Sequence, residues 1–212
     1  MSSHPPRGRL IVFEGLDGAG TTTQSQILAE KLRAKGRTVW LAHQPPEGMV
    51  GGLLRQVLAG RGATLNADGK ASPLEERVMA LLFAADRLDQ INSQIEPRLA
   101  RAEDVILDRY VLSSLAYQGT TVSHDYIQQM NRYALKPDIT LFLYVPANVA
   151  LERVRSRGAK LERYETAPQM QLVEREYLRL VGTLASVVSV DGTRPIAEVA
   201  DLCHAALVQQ LG

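Results

Sequence analysis

A single cysteine, Cys203, stands among 212 residues, so no disulfide can form within the chain. That suits a reducing compartment, and a cytoplasmic location is the expectation. Within Val199-Ala-Asp-Leu-Cys-His-Ala-Ala-Leu207 the thiol reads as a small buried residue on a helix. Charge of one sign is also lacking: 24 Lys and Arg stand against 23 Asp and Glu, a net of +1. Nothing in that balance draws the whole molecule to a polynucleotide or an anionic membrane, so any phosphate chemistry needs locally placed cations. No apolar run approaches the roughly 20 residues of a membrane span. Residues 1–9 lack the apolar stretch of a signal peptide, and Pro5-Pro6 suggests a loose tail over 1–8. There is no internal repeat and no low-complexity tract. A hydrophobic content of 45% suffices for one core, which we place in a single domain over 9–212.

Short β-like runs alternate with longer helical ones. The strands are expected at Leu10–Glu14, Thr38–Ala42, Asp104–Asp108, Ile139–Val145 and Val187–Val190. Helical patterns fall at Thr22–Lys35, Gly51–Ala59, Pro73–Arg101, Asp125–Ala134, Ala147–Ser156, Pro168–Leu184 and Ile196–Leu211, with Pro97 expected to kink or divide the third. The alternation predicts an α/β fold: a parallel five-stranded sheet flanked by helices in three layers. Ligands of such sheets bind beyond the carboxyl ends of the strands. The 60–73 stretch, small and glycine-rich, reads as a surface loop.

The strongest motif is defined by what it omits. An apolar strand runs into Gly15-Leu-Asp-Gly-Ala-Gly20, followed by Thr21-Thr22-Thr23 and a helical pattern. This is the frame of a phosphate-binding loop, whose glycines let backbone N–H groups of Gly15, Gly18, Ala19 and Gly20 face a phosphate beside a helix N-terminus. Thr21 stands where the frame normally carries a lysine for the β- and γ-phosphates. Thr22 occupies the Mg²⁺-ligating hydroxyl position, although Thr21, Thr22 and Thr23 would equally cap the helix. At the end of another apolar strand, Asp108 suits Mg²⁺ or its waters and Arg109 suits a phosphate; a plain surface ion pair is the competing account. Residues 153–165 carry Arg153, Arg155, Arg157, Lys160 and Arg163 against Glu162 and Glu165. They are either a solvated helix face or a basic lid over about 153–166, and the phosphate loop in the same chain favours the lid.

At these residues the chain resembles thymidylate kinases, nucleoside monophosphate kinases with the P-loop NTPase fold. The resemblance runs through Phe13–Gly20 with Thr22-Thr-Gln24, Leu82-Phe-Ala-Ala-Asp-Arg87, Asp108–Gly119, Lys136–Leu143 and Glu162-Arg-Tyr-Glu165, in the family's order. It implies Mg·ATP-dependent phosphorylation of dTMP to dTDP, in dTTP biosynthesis, with Mg²⁺ as cofactor and ATP as co-substrate. It implies an ATP site at Gly15, Gly18–Thr23, a metal site at Thr22 and Asp108, and catalytic roles for Asp17, Asp108, Arg109, Arg153 and Arg157. For the acceptor it implies that Phe83 stacks on the thymine ring, where a core aromatic is the competing account. Arg87 donates to a thymine carbonyl, and Ser114 and Gln118 reach the other polar edges. Arg55 and Arg109 grip the dTMP phosphate, Asp17 faces the sugar 3′-hydroxyl, and Tyr164 packs near the sugar where a 2′-hydroxyl would be crowded. It also implies a homodimer, without polynucleotide or membrane partners.

Two departures bear on activity. His43-Gln44-Pro45 stands where the family commonly has Arg-Glu-Pro, removing one charge of each sign near the acceptor phosphate and Mg²⁺. Thr21 offers a neutral hydrogen bond worth about 1 kcal/mol against about 1.5–3 for a charged one, a rate difference of roughly tenfold. Complete loss of charge neutralisation would cost far more, on the order of 10³–10⁵-fold. Lid arginines Arg153 and Arg157 are the expected replacement, since Gly18 occupies the place of an arginine within the loop. The alternatives are a catalytically silent nucleotide-binding homologue, or a kinase for another deoxynucleoside monophosphate such as dUMP.

Overall fold

The computed structural model describes residues 7–158, 161–184 and 186–211. Its main sheet has five parallel strands: β1 (Leu10–Gly15), β2 (Val39–His43), β5 (Asp104–Asp108), β6 (Ile139–Tyr144) and β7 (Val187–Asp191). They lie in the order β2-β5-β1-β6-β7, with β1 central. Alternate residues of β1 serve opposite faces. Leu10 and Val12 pack with Val105, Leu107, Ile91, Ile95 and Leu99, whereas Ile11 and Phe13 join Leu28, Leu32, Ile106 and Cys203. Every residue of β1 and β5 is buried, as expected for central strands covered on both faces.

Helix α1 (Thr21–Ala34) returns from β1 and packs against α9 (Ile196–Leu211). Cys203, on α9, is fully buried, and burial pushes its thiol up to about 12, so it is an inert core residue. Helix α7 (Ala147–Ser156) packs on α8 (Ala167–Val181). Helix α2 (Met49–Leu58) packs on α3 (Glu76–Gln90).

Three local expectations are corrected. The helix expected over Pro73–Arg101 begins at Glu76 and is broken by a π-helical turn, Ile91–Ile95, before α4 (Glu96–Ala100). Pro97 lies in the first turn of α4, where its missing N–H matters least, and the wide turn before it takes up the break. The 60–73 loop contains a small antiparallel hairpin, β3 (Thr64–Leu65) with β4 (Ala71–Ser72). Asn66 Oδ1 organises its turn by accepting from the amides of Asp68 and Lys70 at 3.0 and 2.9 Å. The stretch after Tyr110, for which no element is expected, forms α5 (Val111–Tyr117) and a 3₁₀ turn, Gln118–Thr120. The next helix, α6, covers only His124–Met130, because Asn131 turns its amide back onto Ile127 O at 2.8 Å. Of the expected tail, residues 1–6 lie outside the described residues; Arg7 is held by Asp138 at 3.0 Å and Gly8 N donates to Leu99 O at 2.8 Å. Lys160 of the expected lid also lies outside them. No helix among the described residues is long and apolar enough to cross a membrane.

Candidate active site

The carboxyl ends of β1 and β5 meet side by side, Phe13 pairing with Asp108. This brings the phosphate loop beside the Asp108-Arg109-Tyr110 segment. Thr22 Oγ1 donates to Asp108 Oδ2, while Asp108 Oδ1 is buried without a hydrogen-bond partner among the described residues. A buried, unanswered carboxylate oxygen beside a hydroxyl suits a hard divalent cation, since Mg²⁺ takes few protein oxygens and completes its shell with water and phosphate. The two residues therefore fit Mg²⁺. No cluster of three or more His, Cys, Asp or Glu among the described residues offers an all-protein metal cage.

The loop's missing lysine has a geometric counterpart. Gly18 adopts φ +87°, and a Cβ there would lie 2.3 Å from Ala150 O and 3.2 Å from Val154 Cγ2. Helix α7 thus closes position 18 to any side chain, an arginine included. The same close packing carries Arg153 to the loop, where its Nη1 donates to Gly18 O at 3.4 Å and Gly192 O at 3.1 Å. Arg157, one helical turn on, shares that side of α7. Both line a cavity of about 290 Å³ with Gly18, Ala19, Gly20 and Thr23. Arg155 faces a different groove, beside Asn148 and Glu152. Arg194 lines the loop cavity too, but ion pairs to Asp191 (3.3 Å) and Glu198 (3.8 Å) engage it. Thr21 itself is buried, and Thr22 and Thr23 are exposed.

A second cavity, about 180 Å³, is lined by Asp17, Phe83, Arg87, Arg109, Ser114, Gln118 and Tyr164. It gathers every residue expected around the acceptor except Arg55. That guanidinium donates to the carbonyls of Pro45 and Pro46, and Pro45 itself lines the cavity. Arg109 joins the cavity to the phosphate loop: Nη1 donates to Gly15 O at 2.8 Å and Nη2 to Asp17 Oδ1 at 2.7 Å. Burial opposes the Arg109 charge, but Asp17 first, then Tyr117, Tyr177 and Asp108, raise its pKa overall. Its φ of 73° is left-handed, a strained conformation for a side-chain-bearing residue that the surrounding bonds enforce.

Arg87 is buried and nearly saturated. Nε donates to Gln44 Oε1 at 3.0 Å, Nη1 to Asn131 Oδ1, and Nη2 to Tyr110 O (3.1 Å) and Ser114 Oγ (3.0 Å). One Nη1 proton remains for a ligand. Burial lowers its pKa to about 10, so it stays charged at neutral pH. The Gln44 side chain therefore lies against Arg87 and Gln90 (3.0 Å), while its backbone amide donates to Asp108 O at 3.0 Å. His43 is exposed, and its carbonyl accepts from Gln90 at 3.4 Å.

Several residues here carry no signal as isolated letters. Glu14, fully buried, accepts from the amides of Tyr110 (2.9 Å) and Ser113 (3.1 Å) and from Tyr177 OH (3.0 Å). It caps α5, and burial raises its pKa against the lowering by Ser113. Tyr117 donates its hydroxyl to Asp17 Oδ2 at 2.9 Å. On α5 and the turn that follows it, the i, i+4 spacing brings Ser113 beside Tyr117 and Ser114 beside Gln118.

Asp86, beside Arg87, is 3% exposed, and burial lifts its carboxyl from 3.8 to about 6. It accepts from the Gly51 amide in the first turn of α2, where a Cβ on Gly51 would lie 2.0 Å from Pro46 O. Folded Asp86 keeps its proton up to about pH 6, while the unfolded chain releases it near 3.8. Its contribution to stability is therefore complete below pH 3.8 and lost as pH rises through 6, about 3 kcal/mol at 1.36 per pKa unit. Asp86→Asn should become more stable relative to the parent as pH rises from 4 to 7 in urea unfolding. Parallel pH profiles would sink this account.

A parallel sheet of this order, with a glycine-rich loop between its central strand and a helix and an aspartate ending the adjacent strand, defines a P-loop nucleotide-phosphate protein. The family model described as "Thymidylate kinase" matches residues 13–202. The chain is 35% identical over 189 residues to a "Probable thymidylate kinase" of Methanocaldococcus jannaschii, covering 89% of each chain. It is 36% identical to one of Thermococcus onnurineus, covering 84% of this chain and 90% of the relative. A third, from Methanococcus maripaludis strain S2, is 38% identical, covering 82% and 78%. The chain belongs to the thymidylate kinase family.

Proposed function

We propose that the protein transfers the γ-phosphoryl group of Mg·ATP to dTMP, yielding dTDP for dTTP biosynthesis. The observation that carries this reading is the acceptor cavity. Phe83, Arg87, Ser114 and Gln118 line its base-reading part, and Arg109 joins it to the loop's own Asp17. The remaining Arg87 proton suits a ring carbonyl, and would oppose the donor amino group that cytosine carries there. Phe83 supplies an apolar face for the ring. Arg109 holds the acceptor phosphate, and Arg55 joins it by exchanging its Pro45 and Pro46 carbonyls for phosphate oxygens. Asp17 takes the 3′-hydroxyl, and Tyr164, edge-on to Tyr117 at 5.4 Å, crowds the 2′ position.

Loop amides from Gly15 to Gly20 cradle the donor phosphates, and Thr21 and Thr23 add hydroxyls. Thr22 and Asp108 would hold Mg²⁺, which when bound neutralises charge on the β- and γ-oxygens. An acceptor phosphate oxygen displaces ADP from the γ-phosphorus in line, with no general base needed. Arg153 and Arg157 supply the cation that Thr21 lacks, as parts of a lid over about 153–166. A reducing cytoplasm suits the lone buried thiol. Exposed Val78, Leu81 and Leu88 line one side of α3, which supports a homodimer formed through that helix; light scattering at twice the chain mass tests it.

A coupled ADP-release assay with Mg·ATP and a panel of monophosphates tests the activity. The expected order of kcat/KM is dTMP first, dUMP lower by roughly 10-fold or more for the lost methyl, and dCMP far below. No turnover with any monophosphate would leave a nucleotide-binding protein, and equal turnover of dUMP would move the substrate.

A further inference from the structure

Glu76 opens α3 and lies outside both cavities' linings. Its two oxygens have different partners. Oε1 accepts from Arg163 Nε and Nη2 at 3.1 and 2.7 Å, and Oε2 accepts the Tyr164 hydroxyl at 2.9 Å. An ionised carboxylate only accepts, so the Tyr164 proton is committed to Glu76. Burial, then the Glu76 charge, raise the Tyr164 pKa and keep that proton in place. The Tyr164 oxygen therefore meets Gln118 as an acceptor, and Gln118 Nε2 donates to it at 3.2 Å. That bond uses one of the two Nε2 protons and fixes which end of the amide faces Tyr164, so the carbonyl oxygen lies at the other end. No donor among the described residues reaches that oxygen, and Gln118 lines the acceptor cavity.

We propose that Glu76 is a positioning residue that sets the hydrogen-bond polarity of the base pocket. Through Tyr164 it makes Gln118 present a carbonyl oxygen, so the cavity takes a pyrimidine carrying N–H at ring position 3. Cytosine, with a bare nitrogen there, meets lone pair against lone pair. The inference rests on the thymidylate reading above. Arg163 has a separate task. Its amide donates to Leu58 O at 3.2 Å and its Nη2 to Leu74 O at 2.6 Å, tying this segment to the α2–α3 side whatever the polarity.

Glu76→Gln tests the relay with little change of shape. A carboxamide can donate to the Tyr164 oxygen, which frees the phenol proton to turn toward Gln118 and lets that amide flip. The ratio of kcat/KM for dTMP over dCMP is expected to fall roughly tenfold or more. Arg163→Leu should weaken both substrates by similar factors and leave the ratio unchanged. A Glu76→Gln protein with the parent's melting temperature and an unaltered ratio overturns the relay while leaving the thymidylate reading intact. If that variant fails to fold, Tyr164→Phe, which deletes the relay hydroxyl, must lower the ratio instead; an unchanged ratio there overturns the relay equally. A parent enzyme that does not prefer dTMP over dCMP defeats the thymidylate reading itself, and the relay with it.

Discussion

Replacing Arg153 and Arg157 together with alanine is expected to lower kcat by about 10³–10⁵-fold, the scale of a removed arginine finger, while dTMP affinity changes less than about twofold. Thr21 cannot supply a charge, and Gly18 has no room for a side chain because Ala150 O lies 2.3 Å from where its Cβ would sit. The cation must then come from outside the loop. Arg153 already lies against Gly18 O, and Arg157 lines the same cavity. Neither lines the acceptor cavity, so the loss should appear in turnover and not in dTMP binding. A coupled assay and an equilibrium dTMP titration on the same protein check the split. Turnover within a few-fold of the parent would end the proposal. Thr21→Lys placed in the double variant should recover part of the loss, because a lysine amine there restores the usual source of charge.

Arg109→Ala is expected to reduce kcat/KM for dTMP by about 10–10²-fold, from the roughly 1.5–3 kcal/mol of a charge-assisted hydrogen bond at this partly buried position. The guanidinium connects Gly15 O, Asp17 Oδ1 and Ser113 Oγ (3.2 Å), and its removal leaves Asp17 without its cation. Arg109→Lys should recover little, because a point charge cannot reproduce a planar fork with several simultaneous partners. Backbone strain gives an internal control. At φ 73°, Arg109→Gly should be about 1 kcal/mol more stable than Arg109→Ala, although both lose activity alike. Equal melting temperatures for the two would argue against strain at this position, and a small activity loss would argue against the acceptor-phosphate role.

The parallel fold was legible because its signals are local and repetitive. Leu10–Glu14, Asp104–Asp108 and Ile139–Val145 are apolar runs between helical stretches, and all three occur as strands within a residue at either end. Other elements depended on contacts that no single segment signals. Val111-Leu-Ser-Ser-Leu-Ala-Tyr117 has β-branched and aromatic ends and no helical expectation, and it is helical with Glu14, from a different strand, accepting from the amides of Tyr110 and Ser113. The third helical stretch is divided near Pro97 as expected, through a π turn over Ile91–Ile95 that leaves the proline in the first turn of α4.

The glycine frame, Thr22, Asp108 and the lack of a loop lysine belong to the sequence, because chain order alone places a loop between strand and helix. So do the expected cavity residues Phe83, Arg87, Ser114, Gln118 and Tyr164, through their resemblance to one family. The tertiary structure decided their relations. It selected Arg153 and Arg157 over Arg155 for the phosphate loop, because only one side of α7 meets Gly18. It turned the Gln44 side chain toward Arg87 while its backbone amide stays on Asp108 O, and it left Arg55 on backbone carbonyls. It also joined Glu76 to Gln118 through Tyr164, in bonded pairs 88 and 46 positions apart that no sequence pattern connects. Such contacts depend on how helices pack across the ends of the strands, and that geometry is a property of the folded chain rather than of any segment of it.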